Sequence, residues 1–247
     1  MNLLQGLLPI DENFRNYVKN STMEIYTWNG ATKNPFSEKK GMSGASISGD
    51  GKTRWMVLEI PENEFKHDSL HRYSVIVHEY FHVYQIGLSK DRMAPKWLVE
   101  GGAKVLEEMF VQQYYGKSAL EEDLKRKSPS LWSDDVFKNS HLYENYETSS
   151  QQTSDGWMDM NYAGSAFMLL ALVNELQMAG VSEHKAFELV FRDFWIEQSK
   201  QTNWTLAFEK TFNLSVADFY VRLSQYKRKD VAKILPRKSL KIQAIFD

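Results

Sequence analysis

Two of the six histidines in this 247-residue chain stand four positions apart with a glutamate between them, in the run His78-Glu79-Tyr80-Phe81-His82. An α-helix turns once in about 3.6 residues, so His78 and His82 share one face and their imidazoles can converge on a single point. Glu79 projects beside that point and stays free to take a proton from water. This is the H-E-x-x-H arrangement a zinc hydrolase needs: two imidazoles hold the ion and the carboxylate acts as general base. The blander reading is two satisfied core histidines on a buried helix. It leaves Glu79 a buried carboxylate in search of a partner, which is costly.

Catalytic zinc takes three protein ligands and keeps one position for water, so a third ligand must come from another element. Pro95-Lys96-Trp97-Leu98-Val99-Glu100-Gly101-Gly102-Ala103 offers a carboxylate eighteen positions after His82. Pro95 suits the first position of a helix, and Gly116 suits its stop after Tyr115. Glu100 then sits near the start of a second long helix. A turn through Ser89–Ala94 and an antiparallel return would carry it back to the histidines, and Gly101 and Gly102 permit close approach of helix backbones. Taken alone, a first-turn glutamate is more simply a solvated residue favoured by the helix dipole.

The two motifs together resemble the gluzincin metallopeptidases of the thermolysin-like superfamily. The closer likeness is to the peptidase MA-like group. A more distant one is to the M1 aminopeptidases, whose second motif resembles W-L-x-E-G-x-A. The resemblance covers roughly Gly41 to Gly180. The chain departs from the pattern in three ways. The interval from His82 to Glu100 is one residue shorter than in the aminopeptidases. Lys104 stands where the thermolysin-type acid follows the ligand glutamate by four. No G-x-M-E-N strand lies upstream to hold a free N-terminus.

What the resemblance implies is an α+β, zincin-like fold, with a small N-terminal β-containing lobe followed by a mainly α-helical lobe. One Zn2+ per chain would sit at the lobe junction on His78, His82 and Glu100. Glu79 would activate a zinc-bound water to hydrolyse a peptide or protein substrate. The missing N-terminus anchor leans towards internal cleavage. Two alternatives stay open: a catalytically silent binding module on the same fold, and a zinc hydrolase of a non-peptide substrate. The intact Glu79 speaks against the silent module, which needs no base.

Hydrolysis of an amide builds negative charge on the carbonyl oxygen, so a hydrogen-bond donor from a third element is expected. In gluzincin relatives a tyrosine or histidine on a later helix supplies it. Asn161-Tyr162-Ala163-Gly164-Ser165-Ala166-Phe167 resembles the Tyr-x-x-Gly start of the corresponding aminopeptidase helix, with the glycine one residue early. Tyr162 is therefore the candidate donor. A core or rim tyrosine is the alternative, and Tyr143 and Tyr146 are its rivals.

These residues need elements to hold them. Asp68 is the candidate N-cap of the motif helix and Gly87 its candidate stop. Tyr73, Ile76, Tyr80 and Val83 make an apolar stripe that Val77, Phe81 and Tyr84 widen. Ser74, His78, His82 and Gln85 form a narrow polar strip. Such a helix is buried, with the strip facing a cleft. His71 falls near the same face, as a solvated first-turn residue or a cleft-lining one.

Residues 1–66 read as the β-containing lobe. They hold a short helix at Asp11–Lys19, a strand at Met23–Trp28 and a surface loop at Lys33–Lys40. A hairpin follows, formed by Gly44–Ser48 and Lys52–Ile60 around Gly49-Asp50-Gly51. Arg54–Ile60 is the candidate cleft strand, placed to pair with an extended substrate backbone; an interior strand without a free edge fits the same residues.

Residues 67–247 read as the helical lobe. Ser118–Lys127 is a polar surface helix. Ser128–Met160 is expected to hold a short helix near Asp134–Asn139, an unassigned His141 and a mobile loop at Glu147–Gly156. Helices follow at Asn161–Met178, Ser182–Gln198, Asn203–Phe212 and Val216–Tyr226, the last opened by a capping box at Ser215–Asp218. Phe191, Phe194, Trp195, Phe208, Phe212 and Phe219 recur at helical spacing as core. Lys227–Lys241 reads as a solvated basic tail and Leu240–Phe246 as a short strand.

With 43% apolar residues, the chain suffices for a single domain, 1–247, of two lobes. A net charge of −2 gives no reason to invoke nucleic acid. The absence of cysteine excludes disulfides and thiolate metal sites. No apolar run reaches membrane-spanning length. Met1–Ile10 has no basic region and no small-residue cleavage site, so a cytoplasmic location is expected, or a periplasmic or secreted one if a leader has been removed.

Overall fold

The computed structural model describes residue 8 and residues 22–39, 41–49, 53–126, 143–144, 146–148 and 160–246. The expected helices at Asp11–Lys19 and Asp134–Asn139, His141, the tip of the hairpin and most of Glu147–Gly156 lie outside them.

The fold is α+β, a three-stranded sheet followed by helices. Strands β1 (Thr22–Asn29), β2 (Ala45–Gly49) and β3 (Thr53–Ile60) are arranged in the order β1-β3-β2. β3 runs parallel to β1 and antiparallel to β2, with Ile47 opposite Met56 and Ala45 opposite Leu58. Successive side chains point to opposite faces of a strand. Met56, Leu58 and Ile60 accordingly join the main core, while Val57 packs with Trp28 and Met42 on the other face.

The expectation that Arg54–Ile60 borders the cleft is corrected here. A strand apolar on both faces is covered on both, and β3 takes the centre of the sheet. Both β1 and β2 are edge strands, and β2 is the one beside His78. Glu59 N–H donates to Gly44 O, 2.9 Å. By the alternation of an antiparallel ladder, Ala45 and Ile47 then turn their backbone groups to the side of β2 that pairs with no strand among the described residues.

The helices are α1 (Glu62–Lys66), α2 (His71–Ser89), α3 (Lys96–Tyr115), α4 (Leu120–Arg126), α5 (Ser165–Met178), α6 (Glu183–Glu188), α7 (Phe194–Gln198), α8 (Trp204–Phe212), α9 (Val216–Leu223) and α10 (Val231–Ile234). A π-helical turn, Met160–Gly164, leads into α5, and another, Leu189–Asp193, joins α6 to α7. Helix α3 is the middle of the lobe. A Cβ on Gly101 would stand 2.3 Å from Ser165 O at the start of α5, and one on Gly102 would stand 2.8 Å from Phe81 Cε1 on α2. The two glycines thus let α3 press against a neighbour on either side.

Several boundaries differ from expectation. Helix α2 begins at His71, and Asp68 lies outside it with φ 50°. Gly87 continues the helix, because the chain is buried as far as Ser89; the stop is Lys90, left-handed at φ 55°. Tyr73 is exposed and stacks on Tyr115, ring centroids 6.2 Å apart. Gly116 does end α3, with φ 67°. Asn203 and Ser215 cap α8 and α9 by accepting from Leu206 N–H and Asp218 N–H. The expected basic tail, Lys227–Lys241, is not solvated throughout, since Val231 and Ile234 are buried. Nor does Leu240–Phe246 form a strand. Gln113 Oε1 accepts from Ile242 N–H, and the chain closes in a 3-10 turn at Gln243–Ile245 that sinks its apolar residues among the helices. Among the described residues no helix is long and apolar enough to cross a membrane.

Candidate metal centre

The polar strip of α2 faces α3. His78 Nε2 and His82 Nε2 lie 3.4 and 3.5 Å from the same oxygen, Glu100 Oε2. Glu100 reaches them because α3 returns antiparallel to α2. Arg54 clasps both carboxylate oxygens of Asp91, 2.7 Å each, and so ties the connecting turn to β3. His78, His82 and Glu100 are all at least nine-tenths buried.

The other ring nitrogens are engaged. His78 Nδ1 faces Glu107 Oε2 at 3.3 Å, and His82 Nδ1 donates to Gln85 Oε1 at 2.8 Å. Ser74 Oγ donates to Glu107 Oε1, 2.7 Å, and Gln85 Nε2 donates to Val99 O, 3.1 Å. With Nδ1–H spent on an acceptor, each imidazole turns Nε2 inwards to Glu100, and a metal binding there would take the place of the Nε2 proton.

A divalent ion fits this donor set. Ligand atoms about 2.0–2.1 Å from a tetrahedral zinc are separated from one another by roughly 3.3 Å. The observed 3.4 and 3.5 Å match that spacing, and one atom from each of the three residues lies within 4.8 Å of the others.

The electrostatics also favour a cation. Burial pushes the His78 ring down, but Glu100 and Glu107 outweigh it and lift the ring to about 9. Burial raises Glu100, yet hydrogen bonds from His78 and His82 hold it well below the usual carboxylate range. Glu107 is likewise raised by burial and brought down to about 2 by His78 and Lys104.

Glu79 stands apart from this network. It is buried, and its Oε2 has no hydrogen-bond partner among the described residues. Burial raises it above the usual range, offset in part by His82 and His78. A carboxyl so placed can carry a proton back and forth.

Tyr162 sits in the π-helical turn ahead of α5, and such turns are frequent at functional sites. Its ring centroid is 5.8 Å from that of His78, with an interplanar angle of 66°. Burial and the charges of Glu100, Glu79 and Glu107 push its hydroxyl up to about 12, so it remains a donor at neutral pH. The rivals lie elsewhere: Tyr143 packs its ring 5.3 Å from Tyr220, and Tyr146 lies against Gly164. Neither lines the cavities at His78.

Two cavities flank the centre, of about 360 and 380 Å3. Both are lined by Ala45, His78, Glu79 and Tyr162. The first runs on past Val75, Leu120, Leu124 and Ala166, with His71 at its rim. The second runs past Ser46, Ile47, Ile86, Met93 and Lys96. His71 is half exposed and bonded to Glu64, 2.8 Å.

Two residues of the site go unremarked in the sequence reading. Glu107 follows Glu100 by two helical turns on one face and receives Ser74 and His78, themselves four apart on α2. Lys96 precedes Glu100 by one turn and pairs with it. Lys104, where the sequence departs from the thermolysin-type pattern, pairs with Glu107 and Glu108, at 3.5 and 2.8 Å.

Comparison of the chain with protein-family models, with curated proteins and with solved structures finds no match.

Proposed function

We propose that the protein is a zinc-dependent peptidase of the gluzincin kind, cutting within extended peptides. One observation carries the reading. Two histidine Nε2 atoms and one carboxylate oxygen converge at ligand spacing beside a buried carboxylate, Glu79, that has no hydrogen-bond partner for Oε2 among the described residues.

His78, His82 and Glu100 would hold the ion. Bound there, zinc supplies Lewis acidity and makes a coordinated water more acidic. Glu79 takes the proton of the attacking water and passes it to the nitrogen of the leaving amine as the C–N bond breaks. The Tyr162 hydroxyl donates to the oxygen of the scissile carbonyl as charge gathers on it. The edge of β2, unpaired among the described residues, would offer the backbone groups of Ala45 and Ile47 to an extended chain lying across both cavities. That two-sided opening supports internal cleavage.

Glu79 also weighs against a silent binding module, since a buried carboxylate of this kind costs stability and brings no gain in binding. A peptide-library digest at pH 7, with and without chelator and with Glu79→Gln as control, tests the proposal. Cleavage that stops with chelator and returns with added zinc is expected. Cleavage indifferent to both chelator and variant would exclude it.

A further inference from the structure

Glu100 meets the two histidines with one oxygen only. Oε2 lies 3.4 and 3.5 Å from their Nε2 atoms, while Oε1 is turned aside and held by the Lys96 ammonium. Lys96 is the first residue of α3, and its backbone N–H donates to Glu147 O, 2.9 Å. Both its backbone and its side chain are therefore anchored.

Helix stability does not explain this lysine. A cation on the first turn opposes the helix dipole. A lysine four residues ahead of a glutamate is also the poorer order for such a pair on a helix. The side chain lines the cavity of about 380 Å3 beside Glu79, so the charge is kept at the centre against local preference.

We propose that Lys96 is a positioning residue that restricts Glu100 to one-oxygen ligation. The inference rests on the reading of His78, His82 and Glu100 as a metal site. Carboxylates bind metals through one oxygen or through both. Ligation through both would take up the position that a catalytic site keeps open for water. By occupying Oε1, the Lys96 ammonium leaves Glu100 only Oε2 to give.

Cobalt substitution tests this without relying on activity. Four-coordinate Co2+ absorbs visible light far more strongly than five- or six-coordinate Co2+. The full chain would be loaded with Co2+ and compared with Lys96→Met, which keeps the stem and removes the charge, and Lys96→Arg, which keeps a donor. Lys96→Leu, read in the same way, stands in should the methionine variant fold poorly. The wild type and Lys96→Arg are expected to show the strong band. The neutral variant is expected to bind one equivalent with a weaker band, and its kcat on peptide to fall roughly 10-fold or more with KM little changed. A neutral variant with the wild-type spectrum overturns the inference. So does one that simply loses cobalt, since Lys96 would then secure affinity and not the mode of ligation. Failure of the wild type itself to bind a stoichiometric ion overturns the metal reading beneath it, which makes the two failures distinguishable.

Discussion

Glu107 Oε2 lies 3.3 Å from His78 Nδ1, on the side of the ring away from Glu100. The imidazole is thus held between two carboxylates, one behind it and one across the candidate metal position. The carboxylate behind fixes the tautomer and makes Nε2 a better donor to a cation. Glu107→Gln is expected to weaken zinc binding by roughly 10- to 100-fold. Competition with a chelator of known affinity checks this, and unchanged affinity would mean that Glu107 serves the fold alone.

Glu100 is the third ligand of the proposed centre. Glu100→Ala leaves two imidazoles, an under-coordinated set, so zinc content is expected to drop sharply from one equivalent per chain. Metal analysis of the purified variant decides it, and a full equivalent would remove Glu100 from the ligand set.

Glu79 is proposed as the base and not as a ligand. Glu79→Gln is expected to keep the metal and the fold while losing on the order of 100- to 10,000-fold in rate. Wild-type turnover by a zinc-replete variant would show that the proton is handled elsewhere.

Tyr162 is the proposed donor to the developing oxyanion, its ring centroid 5.8 Å from that of His78. Tyr162→Phe is expected to lower kcat by roughly 10- to 1,000-fold, with zinc content and KM barely changed. A rise in KM at unchanged kcat would make it a substrate-binding residue instead.

Gly101 tests the packing that brings Glu100 into place. Alanine would gain about 1 kcal/mol in helix propensity. Its Cβ, however, would stand 2.3 Å from the backbone oxygen of Ser165, which cannot swing away as a side chain could. The clash should prevail, and Gly101→Ala is expected to lose about 1–3 kcal/mol on balance. Denaturant unfolding measures it, and a more stable variant would show that α3 and α5 have room to part.

What the sequence determined by itself is the part governed by short-range geometry. The spacing of His78, Glu79 and His82 dictates a shared helix face, and the apolar flanks from Val75 to Tyr84 dictate that the helix is buried. Gly116, Asn203 and Ser215 mark helix ends because their preferences are local. The general α+β division followed from local strand, turn and helix signals together with the resemblance. Tertiary structure decided which elements meet. Strand order depends on which strand is covered on both faces, and β3 has both Met56 and Val57 fully buried, so the cleft edge passed to β2. Gly87 was overruled by the burial of the helix around it. Lys227–Lys241 could not be told from a solvated tail until the core received Val231 and Ile234. Glu107 and Lys96 acquire their partners only when α3 lies along α2. The charges of a single helix do not say which of them will face a histidine, because that depends on the rotation and depth at which the two helices pack.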